Sequence, residues 1–170
     1  MPIFSMSYRN LILCATFFHA PDCGRVEALD RALVCVGGTG TITRVVGPGD
    51  AAYGAVRDQA LRDSTLIELP EQCYVLPGFV DLHIHAPQYP QLGVALDVPL
   101  EQWLQTYTFP LEARYADADF ARRAYGLLID DLAANGTTTA VMFATIHQEA
   151  TRLLADLAIA KGLRALIGKV

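Results

Sequence analysis

After Pro77-Gly78 the chain reads Phe79-Val80-Asp81-Leu82-His83-Ile84-His85-Ala86-Pro87-Gln88, and this stretch narrows the fold more than any other. Pro77 and Gly78 are turn residues; they end what precedes them and release a new element. The residues that follow alternate, with Leu82 and Ile84 on one side and Asp81, His83 and His85 on the other, which is the period of a β-strand. Positions i and i+2 lie roughly 7 Å apart on one face at about 3.3 Å rise per residue. Imidazoles at that spacing can lean together until both nitrogens meet one ion at about 2.0–2.1 Å. Pro87 stops the strand, so the pair stands at its C-terminal end. In a parallel α/β barrel that end carries the chemistry. The spacing alone also fits two ordinary surface histidines.

The chain beyond this strand predicts alternating elements. Residues 86–115 carry Pro87, Pro90, Pro99 and Pro110 and read as an irregular loop with one helix over 100–107. Trp103, Tyr107 and Phe109 either wall a pocket there or pack the loop. Asp117 is suited to cap a helix over 117–135, whose Phe120, Ala124, Leu127, Leu128 and Leu132 recur near the helical period. Asn135-Gly136 is a left-handed stop. Thr137 to Phe143 is rich in β-branched residues and reads as a strand. A helix over 147–160, ended by Gly162, and a strand over 163–170 complete the order strand, helix, strand, helix, strand. Crossovers of that length join parallel neighbours.

Residues 1–75 read as a β-rich unit. Leu11 to Phe18, Ala32 to Val36, Thr41 to Val46 and Thr65 to Leu69 are candidate strands, and Asp50 can cap a helix over 51–61 with Ala55, Val56 and Ala60 on one side. Gly37-Gly38-Thr39-Gly40 lacks the Lys-Ser/Thr of a phosphate loop and reads as a turn. The apolar run after Arg9 has the length of a leader's core, but Met1 to Ser7 has no basic cluster, so a buried strand is the better reading.

Net charge is −5 and Lys and Arg form no cluster, which argues against nucleic acid as a partner. With no apolar run near 18 residues, no membrane span is expected. Cys14, Cys23, Cys35 and Cys73 show no CxxC spacing and read as free thiols of a reducing, cytoplasmic compartment.

PGFVDLHIHA resembles the first barrel strand of the metal-dependent amidohydrolase superfamily. HAPQYPQLGVALDVPLEQWLQTYTFPLEARY is similar to the loop that follows that strand in guanine deaminases, and NGTTTAVMFATIHQEATRLLADLAIAKGLRALIGKV resembles the same enzymes. The resemblance covers residues 76–170 and is loose over 1–75. It implies an α/β fold: the first three or so strands of a (β/α)8 amidohydrolase barrel over 76–170, preceded by a small β-rich sandwich segment over 1–75. It also implies zinc-dependent hydrolytic deamination of guanine to xanthine and ammonia, in purine catabolism. His83 and His85 would hold one Zn2+ per subunit, with iron as the alternative ion. The segment His85, Ala86, Pro87, Gln88 would meet the base. In such enzymes further ligands and a proton-shuttling glutamate come from later strands, so no catalytic acid or base is assigned here. His147, at a strand end, is a weaker candidate for lining the site, and His19 reads as a surface residue. Because a complete barrel needs about 200 or more residues, the expectation is an N-terminal part of a longer protein, a homodimer when full length. Two alternatives stay open: an amidohydrolase acting on a different heterocycle, and an inactive truncated chain.

Overall fold

A computed structural model describes residues 10–170; residues 1–9, which include the Met1 to Ser7 flank of the apolar run, lie outside the described residues. The chain divides into two units, Met1–Pro77 and Gly78–Val170.

In the first unit the run after Asn10 is a strand, β1 (Leu11–Asp22), antiparallel to β2 (Arg25–Val36). The second strand begins seven residues earlier than its apolar part suggests, because Cys23-Gly24 makes a tight hairpin with Gly24 at φ +79°. Next come β3 (Ile42–Val46), α1 (Tyr53–Arg62), β4 (Leu66–Glu68) and β5 (Tyr74–Val75). They build one sheet in the order β3-β2-β1-β4, with β5 also on β1. Tyr53 and Val56 of α1 pack over Cys14, Leu33 and Val46; Ala55 is exposed instead. Asp50 accepts from Ala52 N at 2.7 Å, so it stabilises the turn before α1, and the helix's own first residue has no side-chain cap. A bulge in β2 opposite Ala15–Phe17 places Arg31 at φ +46°, a conformation that costs an L-residue roughly 1–2 kcal/mol. Bonds from Tyr53 Oη to Arg31 O (2.6 Å) and from Arg31 Nη1 to Leu69 O (3.0 Å) hold it there. Cys14 is buried, Cys35 and Cys73 are half-buried and Cys23 is exposed, all as free thiols.

The second unit opens with β6 (Phe79–His85), followed by a 3-10 turn over Ala86–Gln91. A helical stretch then runs without a break from α2 (Leu100–Trp103) through a π-turn (Leu104–Thr108) to α3 (Phe109–Ala113). Pro110 therefore does not end the helix: the widened turn before it takes up the missing N–H and the ring's bulk. Asp117 caps α4 (Ala118–Ala134), accepting from Asp119 N at 2.8 Å and Phe120 N at 3.3 Å. Gly136, at φ +84°, turns the chain into β7 (Thr137–Phe143). α5 (Gln148–Lys161) ends at left-handed Gly162 and leads to β8 (Arg164–Gly168). The strands are parallel in the order β6-β7-β8.

One face of this sheet is covered by helices. Ala140 and Met142 of β7 lie in a core with Leu128 and Ile129 of α4 and Leu153 and Leu154 of α5. Leu127, expected in that core, is 60% exposed; the buried stripe of α4 is Ala121, Ala124, Tyr125, Leu128 and Ile129. Tyr115 and Tyr125 stack at 4.8 Å between centroids. Both hydroxyls are buried without a partner among the described residues, and burial pushes both well above the ordinary phenol range. Strand β6 is not regular. Asp81 pairs with Ala140 and Ile84 with Met142, so three steps on β6 run against two on β7 and strict alternation breaks between them.

At Gly78 a Cβ would lie 2.7 Å from Thr138 Cβ, so Gly78→Ala should lower stability by about 1–3 kcal/mol through overpacking, measured by denaturant unfolding; an unchanged midpoint would contradict this contact. The two buried tyrosines bind their protons more tightly folded than unfolded. Their contribution is complete below about pH 10 and is lost as pH rises further. In an ultraviolet titration their ionisation should coincide with loss of ellipticity above about pH 10. Smooth ionisation of every tyrosine in a still folded protein would contradict it.

Candidate metal centre

His83 and His85 stand at the C-terminal end of β6, where Pro87 at the start of the 3-10 turn removes the next ladder donor. Their Nε2 atoms are 3.2 Å apart, with ring centroids at 5.0 Å and planes at 62°. Phe143, opposite His85 on β7, lies 5.2 Å from the His83 ring and 5.1 Å from the His85 ring. The face that carries Phe143 is the one the helices leave uncovered, since Ala140 and Met142 alternate with it on β7. The aromatic ring thus limits how far either imidazole can swing.

The donor set fits a divalent ion. Two nitrogens 3.2 Å apart, each about 2.05 Å from one ion, subtend about 103°, near the tetrahedral angle zinc prefers. The same separation suits an N–H···N hydrogen bond between the rings. Both imidazoles are exposed, however, and an exposed hydrogen bond competes with water and contributes little. Two ligands are not a full sphere, because a catalytic zinc takes three protein ligands and an open position. Among the described residues no group of three His, Cys, Asp or Glu side chains comes together.

A cleft of about 530 Å³ adjoins the pair, lined by Asp81, His83, His85, Gln88, Tyr89 and Asp131 among others. That volume lies within the range of small-molecule sites. Asp81 lines the same cleft, and its carboxylate accepts the backbone N–H of His83 at 3.0 Å. Ala86 and Pro87 are buried within the turn and do not line the cleft. Gln88 is half-buried and lines the cleft. The Tyr89 hydroxyl donates to Asp131 of α4, tying the turn to that helix, and this bond to a carboxylate raises the phenol's pKa.

The remaining candidates lie elsewhere. His147 is the residue before α5; its carbonyl accepts from Thr151 and it does not line the cleft. In the first unit His19 lies 3.2 Å from Glu27. Trp103 donates to Val94 O at 2.9 Å and packs the loop; neither it, Tyr107 nor Phe109 lines the cleft. A depression of about 560 Å³ along α5 and β8 is lined by Gln148, Arg152 and Lys169 and holds no imidazole or thiol. Phe143, Tyr89 and Asp131 were not singled out by sequence reasoning. Only Phe143 carries a signal for it, as an aromatic at the same end of the next strand.

Fold and site together define a class first: the opening strands of a parallel (β/α) barrel, with paired imidazoles where such barrels carry their chemistry. A family model described as the amidohydrolase family matches residues 74–170, and the chain belongs to that family. It is 36% identical over 163 residues to guanine deaminase of Dictyostelium discoideum, covering 91% of this chain and 36% of that protein. To guanine deaminase of Homo sapiens it is 37% identical over 159 residues, covering 94% of this chain and 35% of the relative. A crystal structure of guanine deaminase from C. acetobutylicum with guanine bound in its active site superposes with a TM-score of 0.80 at 31% identity, over 94% of this chain and 36% of that one. The chain therefore spans about a third of the length of the relatives it matches. Strands β6 to β8 are the first strands of an amidohydrolase barrel.

Proposed function

We propose that the protein acts in the zinc-dependent hydrolytic deamination of guanine to xanthine and ammonia, a step of purine catabolism. The observation that carries this reading is the 3.2 Å convergence of the His83 and His85 nitrogens on a chain whose likeness to guanine deaminases runs through both of its units. A zinc ion bound there would supply water activation at neutral pH. His83 and His85 would hold it through Nε2, and the Phe143 ring beside both imidazoles limits their swing. Gln88 offers its amide to the edge of a purine, and Ala86 and Pro87 are buried in the turn that carries it. Deamination also needs a group that carries a proton to the departing ammonia, and no residue of this chain is assigned that role. Free thiols at Cys14, Cys23, Cys35 and Cys73 suit a reducing cytosol. Among the described residues no helix is long and apolar enough to cross a membrane.

The test uses the complete natural polypeptide that carries this sequence, assayed for ammonia release from guanine, adenine and cytosine, with its metal content measured alongside. Guanine should be the substrate, and His83→Ala should abolish both bound metal and turnover. Full activity in that variant would remove the metal assignment; turnover of another base but not guanine would overturn the substrate.

A further inference from the structure

We propose that Glu112 fixes the orientation of the Gln88 amide, and through it selects a purine edge that donates a hydrogen bond; this rests on the proposed guanine site. Gln88 sits in the 3-10 turn after β6 and Glu112 in α3, 24 positions further along the chain, and Gln88 Nε2 donates to Glu112 Oε1 at 3.2 Å. A carboxylate can only accept. The amide nitrogen must therefore face Glu112, and Oε1 is turned away from it, with no protein donor among the described residues.

The two elements that carry this pair are held to each other independently. Gln91, at the end of the same turn, donates through Nε2 to Thr108 Oγ1 at 2.8 Å, and both side chains are buried. Leu111 and Tyr115, flanking Glu112, are buried in the core with Ala86. The turn and the helix therefore cannot drift apart without breaking a buried hydrogen bond, which is costly. Glu112 does not line the cleft, whereas Gln88 does, so Glu112 acts on a ligand through Gln88 and is a positioning residue.

The consequence is chemical. An amide free to rotate offers either N–H or C=O to a base and discriminates little. One N–H bonded to Glu112 fixes the amide's orientation, so the side of Gln88 turned away from Glu112 carries Oε1, an acceptor. Guanine carries an N–H at ring position 1 and an amino group beside it, both donors; adenine carries a bare lone pair at ring position 1. A fixed acceptor therefore favours the guanine edge and sets two lone pairs against each other for adenine. Sites that hydrogen-bond a substrate donor reject analogues lacking it far more strongly than apolar pockets reject a missing methylene.

The experiment compares the complete polypeptide with its Glu112→Ala, Gln88→Met and double variants, reading zinc content, KM for guanine and the inhibition constant of adenine. Glu112→Ala should leave zinc content and kcat within about twofold. It should raise KM for guanine and narrow the guanine-over-adenine preference about tenfold, the scale of one misdirected hydrogen bond. In the Gln88→Met background the same change should do nothing further. Should Glu112→Ala fail to fold, Glu112→Met keeps the length and packing of the side chain without an acceptor and is expected to show the same shifts. An unchanged preference, or an equal loss with and without the Gln88 amide, would overturn the proposal. The side-chain amide resonances of Gln88 give a readout free of turnover: they should shift and exchange faster in Glu112→Ala. Unchanged resonances would sink the lock even in an enzyme that deaminates guanine, whereas absent guanine turnover in the wild type would sink the functional reading itself.

Discussion

Much of the second unit is arranged around the 3.2 Å gap between two imidazole nitrogens. A strand brings i and i+2 side chains to one face but leaves their Cα atoms roughly 7 Å apart, so closing the rings to metal-ligand distance takes further constraints. Pro87 ends the ladder immediately after His85, which frees the last side chain from a further neighbour on its own strand. Phe143 lies beside both rings from the adjacent strand. The bulge between Asp81 and Ile84 turns the strand locally, and Asp81 holds the backbone N–H of His83. Each of these is local, and together they hold the two rings at the separation the proposed bidentate site needs, which is where preorganised sites gain affinity.

Such a site is useful only if the strand end stays put. That is the work of the helical layer. Ala140 and Met142 are packed under α4 and α5, which holds β7 and so places Phe143. The turn after β6 is tied to α4 by Tyr89 and Asp131 and to the π-turn by Gln91 and Thr108. Gln88 directly precedes these two anchors in the turn. The geometry that positions the imidazoles therefore also positions the Gln88 amide, and the proposed chemistry and the proposed selectivity share a scaffold.

Sequence alone revealed the parts governed by short-range rules. The HxH strand with its proline stop, the Asp117 cap, the left-handed exits at Gly136 and Gly162, and the strand-helix-strand order all follow from local stereochemistry. What escaped it depends on partners distant in sequence. Leu127 fits the helical period yet is exposed, because Tyr125 and Ile129 shift the buried stripe of α4 to the other side of Leu128. Pro110 reads as a break, but a π-turn absorbs it. The β6 bulge is a mismatch with β7, which one strand's pattern cannot reveal. Glu112 lies 24 residues from Gln88, and only the packing of the loop brings them together. In the first unit, the polar arm of β2 escaped because its pairing depends on the Cys23-Gly24 hairpin and not on an apolar pattern.

The account depends on one ion being gripped by both rings. Diffraction from zinc-loaded crystals of the complete polypeptide, with anomalous differences collected at the zinc edge, tests this most directly. The account predicts a single strong peak at about 2.0–2.1 Å from Nε2 of both His83 and His85. A peak bound by only one of the two, or zinc held elsewhere while the imidazoles keep their mutual hydrogen bond, would contradict it.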